Sequence, residues 1–198
     1  RNRQASWFYF RLDNSAGRQV SIDLVNLPGE YDYQPGNLDI NEHTRPVYSY
    51  DRKNWKHFAD DEVEWNDREV SLRLRLRPVR NRVWIARCVP YLESDFKRLM
   101  REMRGNPHLR RDVIGKSVQG RDLLLLTVAS SRAPEASRKV IWLMARQHAW
   151  EAGTSWVIDG ALRYLLSSDP QAIRLRSAYV FKMLPMCDPD GVVRGGVR

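Results

Sequence analysis

Apolar and polar residues alternate along the first part of the chain, a period of two that predicts β-strands. Residues 6–12 are aromatic-rich, Asn14-Ser15-Ala16-Gly17 is a turn signal, and Val20, Ile22 and Leu24 then alternate with Ser21, Asp23 and Val25. Pro28-Gly29, Pro35-Gly36 and Arg45-Pro46 punctuate the next stretch, and residues 47–50 read as a further strand. Over residues 70–76, Val70, Leu72, Leu74 and Leu76 alternate with Ser71, Arg73 and Arg75, so one face is wet and carries arginine up to Arg77. Residues 83–89 are less polar and stop at Pro90. Several short strands separated by turn residues predict an antiparallel β-sandwich.

After Pro90 the period changes. Ser94 is positioned to cap a helix whose apolar side is Phe96, Leu99, Met100 and Met103, with Gly105-Asn106-Pro107 as its stop. Val113-Ile114, a turn over residues 115–120 and residues 123–128 predict a short hairpin. Residues 140–145 (Val-Ile-Trp-Leu-Met-Ala) are apolar throughout, as in a strand covered on both faces. Residues 151–166 place Trp156, Val157, Ala161, Leu162, Leu165 and Leu166 at helical spacing, and residues 177–186 return to strand character. Strand, helix, strand implies a parallel crossover. The expectation is therefore a two-domain chain, with a β-sandwich over residues 1–89 and the beginning of an α/β domain over residues 90–198. Two crossover strands and a hairpin rarely make a covered sheet, and the chain opens without Met and stops soon after Gly195-Gly196, so both ends read as cut from something longer.

Composition narrows the class. With 198 residues, 42% apolar and 29% charged, the chain can bury one good core or two small ones, which excludes disorder. No apolar run is long enough for a membrane span or an export signal, and the two cysteines, Cys88 and Cys187, form neither a disulfide framework nor a cysteine zinc site. A cytoplasmic protein with reduced thiols and no membrane partner is expected. Thirty-three Lys+Arg against 24 Asp+Glu give a formal charge of +9, which attracts polyanions without choosing among them.

In an open α/β sheet, ligands sit beyond the carboxyl ends of the strands. Two segments occupy that position. His148 and Glu151, three apart, follow the strand over residues 140–145, and an imidazole with a carboxylate suits Zn²⁺. The same spacing also suits a structural pair at the start of a helix, stabilised by hydrogen bonds and the helix dipole. Pro185-Met186-Cys187-Asp188-Pro189-Asp190-Gly191 follows the second strand, with Arg194 and Arg198 beyond it. An arginine there either polarises a carbonyl, holds a carboxylate, or is simply solvated.

Five ordered segments together are more specific than either pair. These are residues 47–55, Val89-Pro90-Tyr91, residues 115–123 (Gly-Lys-Ser-Val-Gln-Gly-Arg-Asp-Leu), residues 145–151 (Ala-Arg-Gln-His-Ala-Trp-Glu), and residues 185–191 leading to Arg198. In them the chain resembles the zinc metallocarboxypeptidases, in particular the cytosolic carboxypeptidase branch that includes tubulin deglutamylases and bacterial relatives. The resemblance implies an N-terminal β-sandwich beside an α/β peptidase domain incomplete at its C-terminus. It implies zinc as cofactor, His148 and Glu151 as the first two ligands, and Arg198 as the group that binds substrate and stabilises the oxyanion. It further implies peptide or protein C-terminal tails as substrates, acidic ones such as glutamate-rich termini being suggested by the net charge. Ala149-Trp150 stands where the family has Pro-Gly, and Asp188 where it has Asn. The third ligand, a His, the general-base Glu and the Asn-Arg pair that clamps the terminal carboxylate all fall beyond residue 198, so these 198 residues alone are expected neither to retain zinc nor to cut peptides. His43, His57 and His108 match no ligand position.

Two other readings belong to different classes. In one, the peptidase part is degenerate and the protein binds an acidic partner or nucleic acid through Arg73, Arg75, Arg77, Arg80 and Arg82, though no aromatics interleave them as single-strand binding requires. In the other, the β domain positions substrate proteins, with Trp7, Trp55 and Trp65 as contact groups.

Overall fold

The computed structural model describes residues 3–130 and 137–196, which divide between Pro90 and Tyr91 into two compact units. In the first, strands β1 (Tyr9–Asp13), β5 (Val47–Ser49), β6 (Trp55–His57) and β9 (Arg82–Ala86) form an antiparallel sheet in the order β1-β9-β5-β6. Strands β2 (Val20–Leu24), β7 (Val63–Asn66) and β8 (Ser71–Leu76) form a second in the order β2-β8-β7, and β3 (Gly29–Tyr31) with β4 (Gln34–Asn37) makes a separate hairpin. Alternation explains the packing. Leu72, Leu74 and Leu76 of β8 are buried in one cluster with Val83 and Ile85 of β9, and Ile22 and Leu24, opposite Leu74 and Leu72 across the β2–β8 ladder, pack against it. Trp65 lies against the same core, and Trp55 meets Tyr9 edge-on at 6.2 Å.

The second unit contains α1 (Glu93–Glu102), β10 (Leu109–Lys116), β11 (Asp122–Val128), β12 (Lys139–Met144), α2 (Ala152–Leu165), α3 (Pro170–Ala178), β13 (Tyr179–Leu184) and α4 (Pro189–Arg194). Its sheet runs β10-β11-β13-β12, with β12 and β13 parallel and the other pairs antiparallel. Leu99 and Met100 from α1 and Ile158, Leu162 and Leu165 from α2 bury one cluster with Leu126, Val128, Phe181 and Met183 of the sheet. Among the described residues, no helix is long and apolar enough to cross a membrane.

Several local expectations are revised. Helix α1 begins at Glu93, so Ser94 lies inside its first turn, and the Asp95 carboxylate accepts from Leu92 N at 2.8 Å instead. The hairpin is long, with a register shift between Val113 and Gly115. Residues 177–178 close α3, which begins at Pro170 behind an Asp169 cap that accepts from Gln171 N and Ala172 N. Strand β12 is not covered on both faces: Val140, Trp142 and Met144 are 50%, 57% and 52% exposed. The exposed residues alternate with Ile141 and Leu143, which pack against the core cluster of this unit, so one face of the strand is covered and the other, among the described residues, is not.

Candidate metal site

Beyond β12 and β13 the chain stays tied for three more residues. Ala145 N donates to Leu184 O (2.9 Å), Cys187 N to Ala145 O (3.0 Å) and Asp188 N to Arg146 O (3.0 Å). The two segments beyond the strands are thus held side by side at the carboxyl ends, where a ligand crevice of an α/β sheet is expected.

Arg146 turns the first segment out of the sheet. Its φ of 58° lies in the left-handed region that a long side chain rarely adopts, and the residue is only 2% exposed. The guanidinium donates to Ala149 O at 2.9 Å, Tyr91 O at 2.9 Å and Ser155 Oγ at 3.3 Å, while Arg146 N donates to Thr154 Oγ1 at 3.0 Å. A buried cation is tolerable only when its donors are satisfied in this way. Tyr91 is itself fixed, its hydroxyl donating to the buried Asp159 at 3.1 Å and its ring edge-on to Trp156 at 4.8 Å. Burial, with the nearby Asp159 charge, pushes the Tyr91 hydroxyl far above its ordinary range, so it remains a donor.

The bend delivers His148 and Glu151 to one spot. His148 Nδ1 stands 2.8 Å from Glu151 Oε1, and His148 N donates to Glu151 Oε2 at 3.2 Å. Their side chains are 40% and 28% exposed, open to an incoming ion. Glu151 occupies the N-cap position of α2 yet makes no side-chain capping bond. Its carboxylate instead turns back onto the histidine. An imidazole nitrogen and a carboxylate oxygen this close can both reach one ion at the roughly 2.0–2.2 Å typical of zinc bonds. Among the described residues, no group of three or more His, Cys, Asp or Glu stands together. Burial pushes the nearby Cys187 thiol up, and the Glu151 charge adds to this.

The second segment is not a simple turn but the start of α4. Asp188 caps it by accepting from Gly191 N at 2.8 Å. Gly191 has no room for a side chain, since a Cβ there would lie 2.1 Å from Asp188 Oδ2 and 2.7 Å from Ala149 Cβ. The helix start therefore abuts the His148 loop at Ala149. Asp190, 5% exposed, accepts from Ser117 Oγ (2.8 Å), Gln119 N (2.9 Å) and Arg121 Nη1 (2.6 Å), stapling the β10–β11 turn to α4. Arg194 Nε donates to Asp190 O at 3.4 Å. Arg198 lies outside the described residues.

Sequence reasoning singled out His148, Glu151 and the segment after β13, and the structure brings these together. It missed Arg146, Tyr91 and Asp190 as supports, although all three stand in the segments that carry the resemblance. His43 and His57 are exposed, and His108 is half-buried just before β10. The arginine row on β8 is largely offset. Arg73 makes two bonds to Asp23, at 2.6 and 3.0 Å, Arg75 pairs with Glu64, Arg82 with Asp13, and Arg77 donates to Gly17 O.

Residues 96–196 match the zinc carboxypeptidase family, and residues 1–88 match the cytosolic carboxypeptidase N-terminal domain. The chain belongs to the zinc carboxypeptidase family. Among curated relatives of this family, cytosolic carboxypeptidase 6 of Caenorhabditis elegans is 30% identical over 207 residues, covering 100% of this chain and 44% of that relative. A metallo-carboxypeptidase from Pseudomonas aeruginosa, solved with (2-guanidinoethylmercapto)succinic acid, is 25% identical, with a TM-score of 0.80 over 98% of this chain and 49% of its own. A Burkholderia cenocepacia metallo-carboxypeptidase, 24% identical, shares the fold with a TM-score of 0.82 over 100% of this chain and 50% of its own. The chain thus spans between 44% and 50% of the length of these three proteins. Zinc is the metal of this carboxypeptidase family, and an imidazole facing a carboxylate is a donor set that fits it.

Proposed function

We propose that this chain forms part of an enzyme that hydrolyses the last peptide bond of peptide or protein C-terminal tails, with zinc held by His148 and Glu151. The observation that carries the reading is the convergence of His148 Nδ1 and the Glu151 carboxylate at 2.8 Å, exposed beyond β12. Zinc in such a site supplies a Lewis acid that polarises a carbonyl and eases deprotonation of water. His148 and Glu151 orient the site, Arg146 and Gly191 fix the loop they stand on, and α4 leads the chain toward Arg198. The Arg198 guanidinium donates to the scissile carbonyl oxygen and favours the charge that develops on it. A third ligand His, a general-base Glu and an Asn-Arg clamp for the terminal carboxylate come from chain beyond residue 198 in proteins of the relatives' length. Acidic tails, glutamate-rich ones among them, suit the formal charge of +9. The two sheets of the first unit, sharing one core, are read as a β-sandwich, and the cytoplasm is the compartment that suits two cysteines outside any disulfide.

The test is release of the terminal amino acid from matched peptides ending in glutamate or in a neutral residue, by protein of the relatives' length with and without zinc. Zinc-dependent release, faster from the acidic peptide and lost in His148→Ala and Glu151→Gln, is expected. Absence of release from every peptide would overturn the reading, while equal rates would remove only the acidic preference.

A further inference from the structure

A cavity of about 430 Å³ lies within the second unit, between α1, the start of β11 and the segment that runs from β13 into α4. Neither His148 nor Glu151 lines it, so a ligand held there is independent of the metal site. Its floor is apolar: Phe96 and Met100 from α1, Leu124 from β11, and Met186 with Pro185 and Pro189. That volume lies within the roughly 300–1,000 Å³ of small-molecule sites, and an apolar floor with a few polar groups at the mouth is their common composition.

The mouth decides the ligand class. Five charged residues stand there: Glu93, Lys97, Arg101, Arg121 and Asp122. Four are already engaged. Lys97 pairs with Glu93 at 2.9 Å, Asp122 pairs with Lys116, and Arg121 is held by Asp190 at 2.6 Å. Arg101 is exposed, and among the described residues its guanidinium has neither an ion-pair nor a hydrogen-bond partner. The uncompensated charge at the mouth is therefore a single guanidinium, whose planar fork matches a carboxylate.

We propose that this cavity is a binding site for a small amphipathic carboxylate, its apolar body on Phe96, Met100, Leu124 and Met186 and its head on Arg101. A neutral apolar molecule leaves the guanidinium without a partner. A polyanion cannot use the apolar floor and meets the Glu93 and Asp122 carboxylates.

The probe is 4-phenylbutyrate, titrated into the 198-residue chain while the methyl resonances of Met100 and Met186 are followed by NMR. Both methyls are expected to shift together and saturate. 4-Phenylbutyramide, which keeps the shape but lacks the charge, and the Arg101→Glu variant should each weaken binding at least about tenfold. Arg101 is exposed and unpartnered, so this substitution leaves the fold intact, which the unchanged methyl spectrum of the ligand-free variant checks. The proposal is overturned if neither methyl shifts by about 5 mM probe, a concentration corresponding to barely 3 kcal/mol of affinity. Equal affinity of the wild type and Arg101→Glu, equal affinity for acid and amide, or tighter binding of tetraglutamate than of phenylbutyrate would overturn it too.

Discussion

Arg146 sets the path that presents the candidate ligands, because its left-handed backbone turns the chain out of β12 and its guanidinium holds Ala149 O, between His148 and Glu151, against Tyr91 and Ser155. Replacing it by Met removes the donors from buried acceptors and should cost about 3 kcal/mol, given roughly 1–3 kcal/mol for each buried group left unsatisfied. Arg146→Lys keeps a charge but not the fork, so the domain should stay folded while amide hydrogen exchange at His148 and Glu151 accelerates. Denaturant unfolding and NMR-detected exchange check the two outcomes. That His148 and Glu151 stand together just beyond a strand was legible from their three-residue spacing and the apolar run before them, while their role toward a metal was implied only by the resemblance of the ordered segments. Arg146 was not legible. An arginine reads as solvated by default, and one acceptor that makes its burial possible, Tyr91 O, is 55 positions away.

At the scale of elements, Asp190 joins two segments that look unrelated along the chain, the β10–β11 turn and the start of α4. Burial alone would raise its carboxyl. The hydrogen bonds from Ser117, Gln119 and Arg121, with the Arg121 charge, outweigh that and hold it below the ordinary 3.8. A group depressed on folding contributes stability that is complete above its unfolded value and is lost as pH falls through the folded one. Resistance to urea unfolding should therefore fall below about pH 4. Asp190→Asn should be less stable at neutral pH and should show a shallower acid dependence than wild type. Much at this scale could be read from periodicity, since the alternation over residues 71–76 gives β8, its buried leucines and its wet arginines. Helices α3 and α4 could not. Asp188-Pro189-Asp190-Gly191 has the composition of an ordinary turn, yet here, as at Asp169-Pro170, the residues supply a capping carboxylate and a proline at the first helical position. Whether such a turn continues as a helix depends on contacts made far along the chain, such as the staple at Asp190.

At the scale of the whole chain, two protein ligands provide half of the usual tetrahedral zinc shell, and catalytic sites ordinarily use three. The 198 residues are expected to lose zinc on dialysis, as metal analysis against His148→Ala will show. Stoichiometric zinc retained by the wild type and lost in that variant would mean that the chain contains a further donor. The open flank of β12 bears on how such a protein would behave in solution. Among the described residues no strand pairs with the outer side of β12, and such an edge, beside Val140, Trp142 and Met144, is a template for adding another strand. Because β12 runs directly into Arg146 and His148, whatever docks on its flank also stiffens the loop that would carry the metal. By linkage, metal bound at that loop would in turn tighten the grip of the flank on its neighbour.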